Sequence, residues 1–284
     1  MKKQCLKQHW ALKAYNDGDL IVMDMMNEEL AIKEAAIEGG KVAMNYFRKK
    51  FDIVYKGKID LVTDADLAVE RKVREILSKY FPKYGFLAEE EAAREGMHKP
   101  EGKYWVVDPI DGTTNFAHGF PEFSISIGLA ENDQPLLGVV YKPFNKDMYF
   151  AQKGRGATLN NAKISVSKTT DFVKSLLITG FPYEKNIYSE RTIQSIDKLT
   201  GEVQGIRRFG SAALDFAYVA EGTCDGFFEY TIKPWDVCAG VLLVREAGGK
   251  VTTINGEEAD IFSGNFCATN ALLHTELLGR LVKL

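Results

Sequence analysis

Residues 106–116 read "VVDPIDGTTNF", and few arrangements accommodate that order. Two β-branched apolar residues predict a buried strand. The chain then places Asp108 and Asp111 three positions apart around a proline, follows them with Gly112, and spends two threonines. Paired acids are awkward in a core strand and awkward in a plain loop. They fit if a positive charge lies between them.

The chain has 284 residues, room for one large domain or two lobes at a prior of roughly 150 residues per domain. A formal net charge of −3 gives no reason for polyanion binding by bulk electrostatics, and the short run Arg48-Lys49-Lys50 reads as a solvated helix end. No direct nucleic-acid binding is expected. Four widely spaced cysteines, Cys5, Cys224, Cys238 and Cys267, offer neither a C-x-x-C pair nor zinc-ligand spacing, which predicts buried thiols in a reducing, cytoplasmic setting. No apolar run reaches the about 18 residues that a membrane helix needs. The first residues have no uninterrupted apolar core or cleavage site of a secretory signal. Residues 1–26 read as an N-terminal arm outside the packed fold.

From Asn27 the spacing predicts a helix with acids in its first turn and bases in its last. A second helix follows in "TDADLAVERKVREILSKYFP", stopped by Pro82. The texture then changes to short β-rich runs, "YWVVD", "FSISIGLA", "LLGVVY" and "DMYFAQ", separated by turn signals such as Asn132-Asp133. After about residue 165 strands and helices alternate. The reading is an α/β protein of two packed layers, with an N-terminal lobe over 27–165 and a C-terminal lobe over 166–284.

Acids stand at the joints between these elements: Asp66 in the first turn of the second helix, Glu89 and Glu90 after a short apolar run, Asp108 and Asp111, and Asp236 behind Trp235. Each has a plainer reading. Asp66 could complete a capping box with Thr63, Asp236 could cap its helix, Glu89 and Glu90 could form a solvated turn, and Asp108 and Asp111 could brace an Asp-Pro turn. Hard divalent cations take oxygen ligands, and Mg²⁺ uses a few carboxylates together with substrate phosphate. Gly112, Thr113 and Thr114 add backbone N–H groups at a helix start, which favour an anion. Carboxylates that gather cations beside amides that gather a phosphate describe phosphoryl chemistry. No G-x-x-x-x-G-K-[ST] loop is present, so a P-loop is excluded. Gly154-Arg155-Gly156 reads as a turn, and the four histidines are isolated.

Four segments, "LVTDAD", "AEEE", "DPIDGTTNF" and "PWDVCAGVLLVREAGG", follow the order of the inositol monophosphatase family of magnesium-dependent, lithium-sensitive sugar phosphatases, and the chain resembles that family over roughly residues 27–284. "RRFGSAALDFAYVAEGTCDGFFEY" is similar to its bacterial inositol-1-monophosphatases. The resemblance implies a five-layer αβαβα sandwich and a homodimer. It further implies that Glu89, Asp108, Asp111, Asp236 and the Ile110 carbonyl hold two or three Mg²⁺ ions. Asp66 and Thr113, beside Glu89, would prepare the attacking water, and the Gly112-Thr113 amides would hold phosphate. Gly210, Ser211, Ala212 and Glu229 would contact a polyol. Ala88 stands where the family usually has glycine, before the intact Glu89-Glu90 pair.

The leading expectation is hydrolysis of myo-inositol monophosphate. Within the same fold, fructose-1,6-bisphosphatase and dual sugar phosphatases are rivals, and Arg207 and Arg208 keep a second phosphate in play. A rival of another class is a regulatory protein that docks on a partner. A lost metal ligand would favour it, and none of the four carboxylates is lost.

Overall fold

The computed structural model describes residues 17–49, 53–55, 61–182 and 186–284, with backbone alone for 17–27, 53–55 and 61–63. Helix α1 (Asp17–Tyr46) leads into a two-stranded hairpin, β1 (Ile53–Tyr55) and β2 (Leu61–Thr63), then α2 (Asp64–Tyr80). The helix thus starts ten residues before Asn27. Asn27-Glu28-Glu29 looks like a helix start, but nothing in those residue types prevents helix from running through them. Residues 1–16 of the expected arm lie outside the described residues.

A seven-stranded sheet follows. Strand β3 (Gly85–Ala88) runs parallel to β4 (Lys103–Asp111), with α3 (Glu89–Glu95) between them in sequence. After α4 (Thr113–Ala117) comes an antiparallel meander of β5 (Ser124–Glu131), β6 (Gln134–Lys142), β7 (Asp147–Gln152), β8 (Gly156–Leu159) and β9 (Ala162–Lys163). The Gly154-Arg155-Gly156 turn is confirmed with a cause: the N–H groups of Gly154 and Gly156 donate to the Glu246 carboxylate at 2.7 and 2.8 Å.

The second half alternates as its periodicity predicts: β10 (Leu176–Thr179), α5 (Ile187–Leu199), β11 (Gly205–Arg207), α6 (Ala212–Ala220), β12 (Gly226–Glu229), α7 (Pro234–Glu246), β13 (Lys250–Thr252), β14 (Phe266–Thr269) and α8 (His274–Arg280). Its five strands are ordered β11-β10-β12-β14-β13, which makes β12 the central strand.

Period-two alternation assigns each strand face to a layer. On β4, Trp105 and Val107 pack with Ile32, Ala35 and Val69 of α1 and α2, whereas Tyr104 and Val106 face Phe216, Val237 and Val241 of α6 and α7. The far side of α6 and α7 meets Ile178, Phe227, Phe266 and Ala268 of the second sheet. That sheet's other face carries Leu177, Phe228 and Cys267 against Leu199 of α5 and Leu277 of α8. The result is the expected αβαβα sandwich. Helix α7 comes close because the sheet beneath it has no side chains there: Gly128 and Gly138 pair across β5 and β6. A Cβ at Gly138 would stand 2.8 Å from the Ala239 Cα. Cys224, Cys238 and Cys267 are buried free thiols; Cys5 lies outside the described residues.

Candidate active site

Strand β4 ends at the site. Asp108 pairs with Ser126 and Asp111 with Ser124, so three steps on β4 oppose two on β5. That is a β-bulge, and Pro109, which cannot donate to the ladder, sits within it. In a regular strand, residues three apart face opposite sides. The extra residue reverses the parity, and both acids turn toward α6 and α7. Asp236, in the first turn of α7, meets them there: one carboxylate oxygen from each of Asp108, Asp111 and Asp236 lies within 4.8 Å of the others.

Three ionised carboxylates at that spacing repel by roughly 3 kcal/mol per pair, taking an effective dielectric of about 20. Their protonation is shifted accordingly. Burial, then the charges of Glu89, Asp111 and Asp236, push Asp108 well above the usual carboxylate range. Burial and the charges of Asp111 and Glu89 push Asp236 up to about 8, against the opposing pull of the Lys233 N–H. Asp111 is also raised by burial, but only to about 6. It accepts the Ser211 hydroxyl at 2.5 Å, the Ala212 N–H at 3.2 Å and the Ala213 N–H at 2.7 Å. These donors at the start of α6 stabilise the charged form. The Oδ1 atom of Asp108 is buried without a hydrogen-bond partner among the described residues. Crowded buried oxygens, one of them unsatisfied, fit a hard divalent cation.

One of the plainer readings proves compatible with the site. Asp236 does cap α7, accepting the Lys233 N–H at 2.8 Å, and it spends one oxygen on that. Asp66 occupies the first turn of α2 and is fully buried, whereas the side chain of Thr63, its proposed capping partner, lies outside those described. Glu89 opens α3 and stays half-buried. It is outside the close carboxylate trio, yet its charge raises all three members.

Beyond Asp111 the chain turns sharply. Gly112 takes φ 96°, and a Cβ there would lie 3.0 Å from the Glu122 carbonyl and 3.1 Å from that of Gly210; only glycine suits both the angle and the space. The Thr113 hydroxyl donates to the Ile110 carbonyl at 3.1 Å. Glu229 ends the central strand β12, so it is not an edge-strand surface charge. Its carboxylate lies on bare backbone at Gly180, where a Cβ would be 2.2 Å away. Burial, then Asp236 and Asp111, raise it to about 8, with Arg208 opposing.

Some functional neighbours had no readable signal. Asp215, on α6, is fully buried and raised well above its usual range by burial and by Glu229. Asn115 donates to the carbonyls of Glu122 and Phe209 at 2.6 and 2.7 Å. Glu122 in turn takes Lys142 at 2.7 Å and the Tyr218 hydroxyl. Glu122 and Tyr218 are 96 residues apart and Asn115 and Phe209 are 94 apart, so these contacts leave no local pattern to read.

Comparison with known proteins gives this geometry a setting. The sequence model described as "Inositol monophosphatase family" matches residues 26–284. An inositol-1-monophosphatase of Synechocystis sp. is 42% identical over 245 residues, covering 86% of this chain and 85% of that protein. A protein of Escherichia coli K12 named Nus factor SuhB is 38% identical over 242 residues, covering 85% and 90%. The solved inositol monophosphatase of Anabaena (Nostoc) sp. superposes with a TM-score of 0.77 at 39% identity, over 90% of this chain and 96% of that one.

Proposed function

Because the chain belongs to the inositol monophosphatase family of phosphoric monoester hydrolases, we propose that it hydrolyses myo-inositol monophosphate to inositol and inorganic phosphate with Mg²⁺. The observation that carries this reading is the buried trio Asp108, Asp111 and Asp236, with Glu229 beside it. Asp108, Asp111 and Asp236, joined by Glu89 and the Ile110 carbonyl, would hold two or three Mg²⁺ ions. Bound there, the metal would neutralise the ester oxygens, acidify a water and stabilise the leaving alkoxide.

The chain's own residues divide the remaining work. The proton of Thr113 is committed to Ile110, so its oxygen can only accept from a water. That orients a lone pair of the water toward phosphorus, with Asp66 the group that takes its proton. The N–H groups of Gly112 and Thr113 face the phosphate. Glu229 accepts hydrogen bonds from ring hydroxyls and sets the polyol's orientation, and Gly210, Ser211 and Ala212 wall the same side. Ser211 and Ala212 act there while their hydroxyl and N–H hold Asp111. Lithium inhibition, a homodimer and a cytoplasmic location belong to this reading; among the described residues, no helix is long and apolar enough to cross a membrane.

Turnover of inositol 1-phosphate and fructose 1,6-bisphosphate, measured side by side across a Mg²⁺ titration, tests it. Preference for inositol 1-phosphate supports the proposal; preference for the bisphosphate moves it to the sugar bisphosphatases, with Arg207 and Arg208 as the second phosphate's partners. Absence of Mg²⁺-dependent turnover rejects both. One observation favours a second role: some relatives, the Escherichia coli protein among them, are named Nus factors. Capture of the same partner by wild type and Asp108→Asn would show docking that needs no catalysis.

A further inference from the structure

The three donors that hold Asp111 all come from the start of α6, at Ser211, Ala212 and Ala213. Asp111 lies at the end of a strand in the first sheet, about a hundred residues earlier in the chain. Those donors are useful only if the start of α6 is held at a fixed distance from the β4–α4 turn. Along α6 itself, Ala213, Leu214, Phe216 and Ala217 are buried in the central core and fix the helix, while Ser211, the residue ahead of its first turn, depends on the loop before it.

One side chain joins the two. Asn115, in the short helix α4, directs its amide nitrogen to the Glu122 carbonyl at 2.6 Å and to the Phe209 carbonyl at 2.7 Å. The first bond closes the 112–122 loop on itself. The second crosses to the residue just ahead of Gly210. The contact between the loops is tight, since Gly112 and Gly210 approach so closely that a Cβ at 112 would meet the Gly210 carbonyl at 3.1 Å. Both hydrogens of the amide are used, each on a different segment, and no hydroxyl or carboxylate could supply two such donors.

We propose that Asn115 is a positioning residue for Asp111, acting through the Phe209–Ser211 loop, and that it sets cation affinity rather than contacting the substrate. This rests on the reading of Asp111 as a cation ligand given above. Removing the amide releases the Phe209 carbonyl while the Phe209 ring stays packed on Tyr218, so the Ser211 and Ala212 donors lose register with the carboxylate and Asp111 is held by the Ala213 N–H alone. Partners of this kind behind a metal ligand typically change metal affinity by about 10–100-fold.

The test uses the full-length protein and Mg²⁺ alone, followed by calorimetry without substrate, beside steady-state kinetics. Asn115→Leu keeps the side chain's size and removes both donors. The expected result is Mg²⁺ binding weakened by about tenfold, a matching rise in the Mg²⁺ concentration for half-maximal rate, and KM for inositol 1-phosphate at saturating Mg²⁺ within about twofold of wild type. Asn115→Gln, which keeps two donors, should recover a large part of the affinity even if Asn115→Leu proves poorly folded. Wild-type Mg²⁺ affinity in Asn115→Leu would overturn the proposal, as would a rise in KM without a change in Mg²⁺ binding, or a Gln variant no better than Leu. A wild-type protein without Mg²⁺-dependent turnover would instead remove the premise about Asp111.

Discussion

At the scale of single residues, charge governs the site. Replacing Asp108 by Asn removes a buried carboxylate whose Oδ1 has no protein partner among the described residues, so the fold loses little while the cation loses a ligand. Turnover should fall on the order of a thousandfold, several kcal/mol of transition-state stabilisation, with the melting temperature near or above wild type. Retention of Mg²⁺-dependent activity would remove Asp108 from the reaction. Glu229→Gln separates binding from chemistry. A site built to bond a polyol discriminates against analogues lacking the hydroxyl, so inositol phosphate hydrolysis should suffer more than hydrolysis of a simple aryl phosphate. Equal loss on both would make Glu229 a support for the metal site. The metal-free protein should also respond to pH. Asp111, near 6, and Asp236, near 8, sit above the unfolded carboxylate value of about 4. Their neutral forms are favoured by folding, so their contribution is full below about pH 4 and is lost as pH rises through about 8. Added Mg²⁺ must displace those protons. It should therefore raise the melting temperature more at pH 8.5 than at pH 5.5, and an equal rise at both would show that the trio does not bind it.

At the scale of elements, the residue types were legible and their geometry was not. The Asp-Pro-Ile-Asp order announced paired acids. That they share a face depends on the bulge opposite Ser124 and Ser126, a property of pairing with another strand. Ser211 entered through the family resemblance, whereas its bond to Asp111 ties the start of α6 to the end of β4. The alternation of strands and helices after about residue 165 followed from periodicity and turn residues, because those signals are local. The early start of α1 at Asp17 did not, because a helix-start pattern at Asn27 is permissive, not obligatory. The glycines under α7 belong to the same class. Gly138→Ala would push a methyl against Ala239 backbone atoms at 2.8 and 3.0 Å, and backbone cannot rotate aside. The expected cost is about 1–3 kcal/mol, read by denaturant unfolding. Because α7 carries Asp236, Mg²⁺ affinity should drop as well. Unchanged stability would mean that α7 shifts freely over the sheet.

At the scale of the whole molecule, the two sheets share one middle layer. The largest core joins Leu87, Tyr104, Val106 and Val140 of the first sheet to Ile178, Phe227 and Phe266 of the second, through Phe216, Val237, Val241 and Leu243 of α6 and α7. The seven-stranded sheet is therefore complete in hydrogen bonds by residue 163 and incomplete in burial, since the helices covering its inner face come after residue 211. The texture change near residues 160–170 marks a change of local pattern and not a place where the core divides. A domain that folds alone needs its own core. A fragment of residues 27–165 would expose Tyr104, Val106, Val140, Tyr149 and Ala151 together, a patch of the size that drives association. Such a fragment should be recovered as an aggregate or as a dye-binding, loosely packed species. The intact chain should unfold in one calorimetric transition, with van't Hoff and calorimetric enthalpies in agreement. Two resolved transitions, or a monomeric fragment with dispersed amide resonances, would show that the lobes are energetically separate. The carboxylate trio would then lie across a movable boundary, Asp108 and Asp111 on one side and Asp236 on the other. A shared core instead holds Asp236 at a fixed distance from the end of β4 before any cation arrives.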